Sequence, residues 1–370
     1  MRQFLYKLPS RIPRSTEELL KWYEKFVSPL TLLIGFTLDN FALKRVDFFW
    51  GNVLLFAYLA VAASSIVFYH LIQTGRLRGR FFLWLLPFTT IAIQFGFGGL
   101  FSGFVILYSH SAAIASSWIF VVLLAALMIG NERFRARYTS FPFQVSVLFV
   151  ALLSFMAFFV PVVVGKIGTT IFLISQGVAI GAIVLFIRSF WILMPEVFRE
   201  SKWTVRKALA SVILIFNVLY FTNAIPPLPL ALKEAGVYHG VQKVGDTYRL
   251  AAEPREWYQQ YLNYNTTYHR APGEKIYVFT AIFAPSNLST TIVHDWWRYD
   301  EGLKGWVMES SVPFTIRGGR EKGYRGYTIV DSAKPGKWRV NVLSGEKLVG
   351  RVSFEVVDVP RPVETSIEDH

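Results

Sequence analysis

Asn223-Ala224-Ile225-Pro226-Pro227-Leu228-Pro229 separates two kinds of protein within one chain. Its three prolines fix φ and remove backbone donors, so neither a helix nor a strand ladder continues through it. Before it stand long apolar runs; after it the hydrophobic period falls to two. The charges divide at the same place. Residues 1–225 hold 20 basic and 8 acidic side chains, whereas residues 226–370 hold 18 and 17. Nearly all of the formal net charge of +13 therefore lies upstream. A basic balance confined to the flanks of apolar segments reflects insertion topology, not a phosphate-binding surface, and no nucleic-acid partner is expected. Over all 370 residues, 53% hydrophobic and 17% charged side chains with a mean hydropathy of +0.39 are not a soluble composition. The absence of cysteine excludes disulfides, thiolate metal sites and cysteine nucleophiles.

Working back from the prolines, seven stretches approach or reach the roughly 20 apolar residues a membrane span requires. They are 27–43, 48–70, 81–107, 112–130, 143–164, 170–191 and 208–225. Segment 1–26 carries six basic residues but no apolar core of the kind a cleavable signal peptide needs. With the N-terminus inside, 17 basic residues fall on the cytoplasmic side, against Lys44, Arg45 and Lys166 outside. Seven spans then leave everything after residue 225 outside. The expectation is a helical bundle at 27–225 in a bacterial inner membrane, behind a cytoplasmic segment 1–26.

Two features of that bundle bear on chemistry. Gly96, Gly98, Gly99 and Gly103 punctuate the third stretch, with Gly99 and Gly103 one turn apart; close helix packing is preferred over a glycine-lined path. Asp39 lies inside the first stretch, where an acid is costly enough to raise a functional suspicion. Its nearness to Lys44 favours interfacial anchoring. His110, in Tyr108-Ser109-His110-Ser111, falls on the same side, and the two could form an acid/base pair if the helices bring them together. The end of the fourth stretch, Asn131-Glu132, reads as a solvated helix terminus.

Forward from the prolines, 226–264 reads as a linker with one short helix opened by Pro254. Strands are expected at 275–284, 290–299, 305–317, 324–331, 337–343 and 347–358, separated by Pro-Gly and Ser-Gly turns. Without intervening helices, these make 265–360 an extracytoplasmic antiparallel β-sandwich, immunoglobulin-like, followed by a tail at 361–370. In Trp338-Arg339-Val340-Asn341-Val342 the apolar residues share one face, so Trp338 belongs to the core. Trp296 and Trp297 point to opposite faces, and one of them is exposed. Arg317, Arg320 and Arg325 among glycines form a candidate anion-binding loop, with Trp297 as an aromatic contact. His294-Asp295 has no ligand spacing around it and no Gly-x-Ser-x-Gly turn is present, so neither a metal, a cofactor nor a hydrolytic nucleophile is expected.

His294-x-Trp296, Gly318-Gly319-Arg320, Gly323-Tyr324-Arg325, Gly336-Lys337-Trp338-Arg339-Val340 and Phe354-Glu355-Val356 make the chain resemble a bacterial multi-span membrane protein family with a C-terminal domain of unknown function 2914. Phe101-Ser102-Gly103-Phe104, Tyr108-Ser109-His110-Ser111 and Asn131-Glu132 are the similar features upstream. Gly326-Tyr327 departs from the Thr or Ser the pattern has after Tyr324-Arg325. The family implies no reaction. The expectation is a membrane protein whose outer sandwich binds an envelope protein, glycan or other ligand without chemistry of its own. The alternative is a membrane-embedded enzyme or transporter acting on a lipid or envelope precursor through Asp39 and His110.

Overall fold

The computed structural model describes residues 28–43, 49–111, 114–131, 135–226, 229–245, 247–254, 267–285, 288–319, 323–331 and 333–370. Among them are seven α-helices: α1 (Ser28–Ala42), α2 (Phe49–Gln73), α3 (Arg80–Ser111), α4 (Ile114–Asn131), α5 (Phe141–Val164), α6 (Thr169–Leu193) and α7 (Pro195–Phe221). Helices α2, α3, α5, α6 and α7 are long and apolar enough, by length and composition, to cross a membrane. Each sits on one of the expected stretches. The largest departure is α7, which starts at Pro195 and not near 208. A proline at the first helical position and the good helix formers after it carry the helix through a charged turn that a hydropathy window discards.

The glycines of α3 serve packing. A Cβ added at Gly96 would sit 2.9 Å from Ala62, and one at Gly99 2.6 Å from the Tyr58 ring. At Gly103 it would sit 2.6 Å from Leu55. All three neighbours are on α2, so the stripe is a seat for that helix.

Eleven strands follow: β1 (Ala231–Tyr238), β2 (Gly240–Val244), β3 (Thr247–Ala252), β4 (Thr267–Arg270), β5 (Ile276–Phe283), β6 (Ser289–Asp300), β7 (Gly305–Arg317), β8 (Tyr324–Val330), β9 (Gly336–Ser344), β10 (Lys347–Asp358) and β11 (Ser366–Asp369). They form sheets ordered β1-β5-β8, β4-β10-β9-β6-β7 and β11-β3-β2. Every pairing is antiparallel except β4 with β10. One apolar core takes Val237, Ile276 and Val278 from the first sheet and Trp296, Trp338, Val340 and Phe354 from the second. Trp296 is fully buried and meets Trp338 edge-on at 6.3 Å.

Two boundaries are corrected. The stretch 226–264 is not only a linker, because it supplies β1, β2 and β3, and the tail 361–370 supplies β11. β1 escaped detection because a bulge between Leu232 and Glu234 breaks its alternation. Residues 255–266, which hold most of the expected short helix, lie outside the described residues.

The two halves touch at the β9–β10 turn. The Lys347 ammonium donates to the Tyr220 carbonyl at 2.6 Å, at the C-terminal end of α7, and lies 3.6 Å from the Tyr220 ring centre. Tyr220 in turn stacks on Phe172 of α6 at 3.7 Å. Ile167, between α5 and α6, packs against a second β core around Leu230, Ile282 and Val349.

Candidate functional site

The β6–β7 hairpin is held at its turn by Asp300, whose Oδ1 accepts the backbone N–H groups of Gly302 and Leu303 at 3.0 and 3.1 Å. A bulge opposite Trp296 and Trp297 leaves Glu309 as the extra residue of β7. Glu309 accepts from Arg298 Nε at 2.7 Å, and Arg298 also reaches Asp300. This local lattice fixes the strand ends on which the next residues stand.

Trp297 pairs with Met308 on one side and with Arg339 on the other. Two residues along, Tyr299 pairs with Trp306, their rings edge-on at 5.5 Å. The Arg339 guanidinium lies 4.2 Å from the Trp306 centroid and 5.4 Å from that of Trp297. Next to it Arg351 donates through Nε to Asn341 Oδ1 at 2.7 Å. Burial, and then the charge of Arg351, hold the Arg339 guanidinium below the usual arginine range. Among the described residues neither arginine is in an ion pair with a carboxylate; Asp295 of this face accepts from the Ser311 hydroxyl at 2.6 Å. Arg339 Nε and Trp297 Nε1 are buried with no hydrogen-bond partner. Trp306 and Met308 remain 36% and 48% exposed. The outer face of the five-stranded sheet thus presents two arginines framed by aromatic rings, the composition of a surface that takes a flat ligand carrying negative charge.

Of the expected ligand residues that are described, one belongs to this face. Trp297 does. Arg317 pairs with Ser289, eight residues away along β6, or about 26 Å at the rise of a strand. Arg325 is within β8 in the opposite sheet, paired with Ala281, and not on a loop. Arg320 lies outside the described residues. The glycines there serve close approach: a Cβ at Gly318 would collide with the Pro285 carbonyl, and Gly323, at φ +89°, presses on the Ile282 backbone. Arg339, Arg351 and Trp306 complete the face instead. The alternation at 338–342 already turns Arg339 outward, but which strand it faces is a matter of sheet order.

In the helical half, Asp39 is 4% exposed and accepts from the Tyr58 hydroxyl at 3.0 Å, with Ser102 beside it. It is buried between helices. His110 falls in the last turn of α3, and its side chain is outside the described residues; eight residues of helix put its backbone about 12 Å along the axis from Ser102. The expected Asp39–His110 pair thus lies outside the described residues. Asn131, read as solvated, is 2% exposed. Its amide donates to the Gln94 carbonyl, and its Oδ1 accepts from Tyr138. Gln144 donates to the Tyr138 carbonyl, and His70 Nε2 lies 2.8 Å from Gln144 Oε1, so one buried polar chain ties four helices together.

A region of membrane-type helices followed by a β-rich C-terminal region is the class these features define. Residues 289–356, the span from β6 into β10 that carries the whole arginine–aromatic face, match the family described as "Protein of unknown function (DUF2914)". Among solved structures, an immunoglobulin-like protein from Pseudomonas aeruginosa is similar at 12% identity and a TM-score of 0.20, covering 34% of this chain and 97% of its own. The alkylpurine DNA glycosylase AlkC from Pseudomonas fluorescens is similar at 11% identity and a TM-score of 0.22, covering 84% of this chain and 99% of its own. Scores this low carry no argument about fold or function. No curated protein sequence matches the chain.

Proposed function

We propose that the protein is a seven-span inner-membrane protein, N-terminus cytoplasmic, whose C-terminal region is a periplasmic immunoglobulin-like sandwich that binds an envelope ligand without catalysis. The observation that carries this reading is Arg339, set between Trp297 and Trp306 beside Arg351, with no carboxylate in an ion pair to either arginine among the described residues. Aromatic faces next to unpaired guanidinium groups suit an acidic saccharide, whose ring stacks while its anionic group takes charge-assisted hydrogen bonds. The compartment rests on the basic bias of the expected cytoplasmic loops.

The test titrates the full chain in lipid nanodiscs with polygalacturonate and, in parallel, with neutral dextran, following tryptophan emission. Saturable binding of the acidic polymer alone, weakened about tenfold or more in Arg339→Gln, is expected, since a hydrogen bond to a charged group contributes roughly 1.5–3 kcal/mol. Binding of neither polymer, with the Arg339→Gln, Arg351→Gln pair retaining full complementation of a deletion strain, would reject the site. Copurification of one defined envelope protein, lost in that double variant, would replace the glycan by a protein partner.

The burial of Asp39 against Tyr58 favours one second reading, a membrane-embedded enzyme or transporter acting on a lipid or envelope precursor. It predicts that Asp39→Asn inserts at wild-type level and abolishes function while the arginine variants are silent.

A further inference from the structure

The three-stranded sheet β11-β3-β2 is joined to β4 by an acid–imidazole network that the ligand-binding reading does not use. His239, at the β1–β2 corner, places Nδ1 2.6 Å from Glu274 Oε1 and Nε2 2.8 Å from Glu253 Oε1. A neutral imidazole has one N–H, yet here both nitrogens face carboxylate acceptors; only the imidazolium can donate to both. The ring is stacked on Tyr268 of β4 at 4.3 Å, and its side chain is 6% exposed. Glu253, at the exit of β3, also accepts the His269 backbone N–H and faces His269 Nδ1, each at 2.7 Å. Glu274, in the turn before β5, accepts the Ala271 N–H at 2.9 Å. Among the described residues, the neighbouring charged groups in β4 and in the turn before β5 are Arg270, paired with Asp358 of β10 at 2.7 Å, and Lys275, paired with Asp331 at 3.2 Å. Strand β4 is four residues long and lies at a sheet edge, held by its parallel pairing to β10 and by this network.

We propose that His239 with Glu253 and Glu274 forms a pH-operated latch that holds the edge strand β4 against β10. Burial opposes the charged ring and is the largest single influence, but the hydrogen bonds and charges of Glu253 and Glu274 outweigh it and raise the His239 pKa. Burial likewise opposes the Glu253 carboxylate, and the bonds from His239 and His269 outweigh it and lower that pKa. The contribution of His239 is complete below its unperturbed value of 6.5 and is lost as pH rises through the raised value. That of Glu253 is complete above 4.5 and is lost as pH falls through the lowered one. The latch is closed in between and opens toward alkaline pH, uncovering Tyr268 and the edge of β10.

Hydrogen–deuterium exchange of the full chain in nanodiscs, corrected for intrinsic exchange, reads β4 directly between pH 5 and 9. Protection of β4 should fall at least tenfold on the alkaline side. In Glu274→Gln, which removes one carboxylate, that fall should move to lower pH, whereas His269→Gln should leave its midpoint in place. Flat protection, or an unmoved midpoint in Glu274→Gln, overturns the latch. Should Glu274→Gln fail to fold, nitrogen-15 spectra of histidine-labelled wild type decide, with His239→Gln for assignment. A His239 ring carrying both protons at pH 7 supports the latch, and a neutral ring overturns it.

Discussion

Trp338 and Arg339 are neighbours in sequence with opposite fates. Trp338 is 2% exposed in the core between the sheets, and Arg339 stands on the outer face. Trp338→Ala should cost about 3–5 kcal/mol in denaturant unfolding, burial and cavity costs together. Arg339→Gln should shift stability by no more than about 2 kcal/mol, the loss of a half-buried cation–π contact, while losing ligand. A second residue effect concerns His294, fully buried, whose ring Nε2 lies 3.1 Å from the Thr280 hydroxyl and whose Nδ1 lies 2.9 Å from the Thr328 hydroxyl. Burial pushes its pKa down to about 4. A depressed histidine favours the unfolded state once protonated, so stability should fall as pH drops from 6.5 toward 4, by up to about 3 kcal/mol. Thermal melts of wild type and His294→Gln over that range check this; equal acid sensitivity in both would assign the loss to the carboxylates. The outward turn of Arg339 and the inward turn of Trp338 were legible from alternation alone. The contact of Arg339 with Trp306 was not, because it joins β9 to a hairpin more than 30 residues earlier, and the sequence carries no signal of strand adjacency.

At the level of elements, α2 and α3 are joined through glycine. Gly99→Leu would place its side chain where the Tyr58 ring lies, 2.6 Å from the first added carbon. Tyr58 cannot swing aside without leaving Asp39, so the folded yield from membranes should collapse, whereas substitution at Gly177 of α6, where a Cβ meets nothing within 4 Å, should be tolerated. Fluorescence-detected size exclusion of both variants distinguishes these outcomes. The helices and the strands from β5 to β10 were readable because most of each is an apolar run or an alternating pattern long enough to survive a local bulge or a charged first turn. β1 and β11 were not: the first is bulged, and Ser366–Asp369 has a single apolar residue, so its pairing with β3 is a tertiary choice.

Across the whole molecule, the β9–β10 hairpin bears the arginine face along its length and the Lys347 contact at its turn. Burial holds the Lys347 ammonium below the usual lysine range, and the α7 carbonyl it meets is the favourable end of a helix dipole for a cation. Lys347→Met should leave helix and sheet content by circular dichroism unchanged while broadening spin-label distances between the two halves; an unchanged distribution would show that Ile167 and its neighbours suffice. Excised residues 229–370 should still fold to a β-type spectrum, since their cores are internal apart from Ile167. Reporter fusions after Arg80 and Arg137 should read cytoplasm and one after His370 periplasm, and a cytoplasmic reading at His370 would reverse the proposed topology. Composition, charge asymmetry and hydrophobic period by themselves determined that helices of membrane type precede a β-rich region, because each is a sum over local residues that survives any arrangement of neighbours. Only the tertiary structure decided that Asp39 is buried on Tyr58, that Trp297 meets Arg339 instead of Arg317, and that His239 lies between two glutamates. Those contacts join residues 14 to 42 positions apart, and their partners are set by which helices and strands pack side by side, a property of the folded chain and of no segment within it.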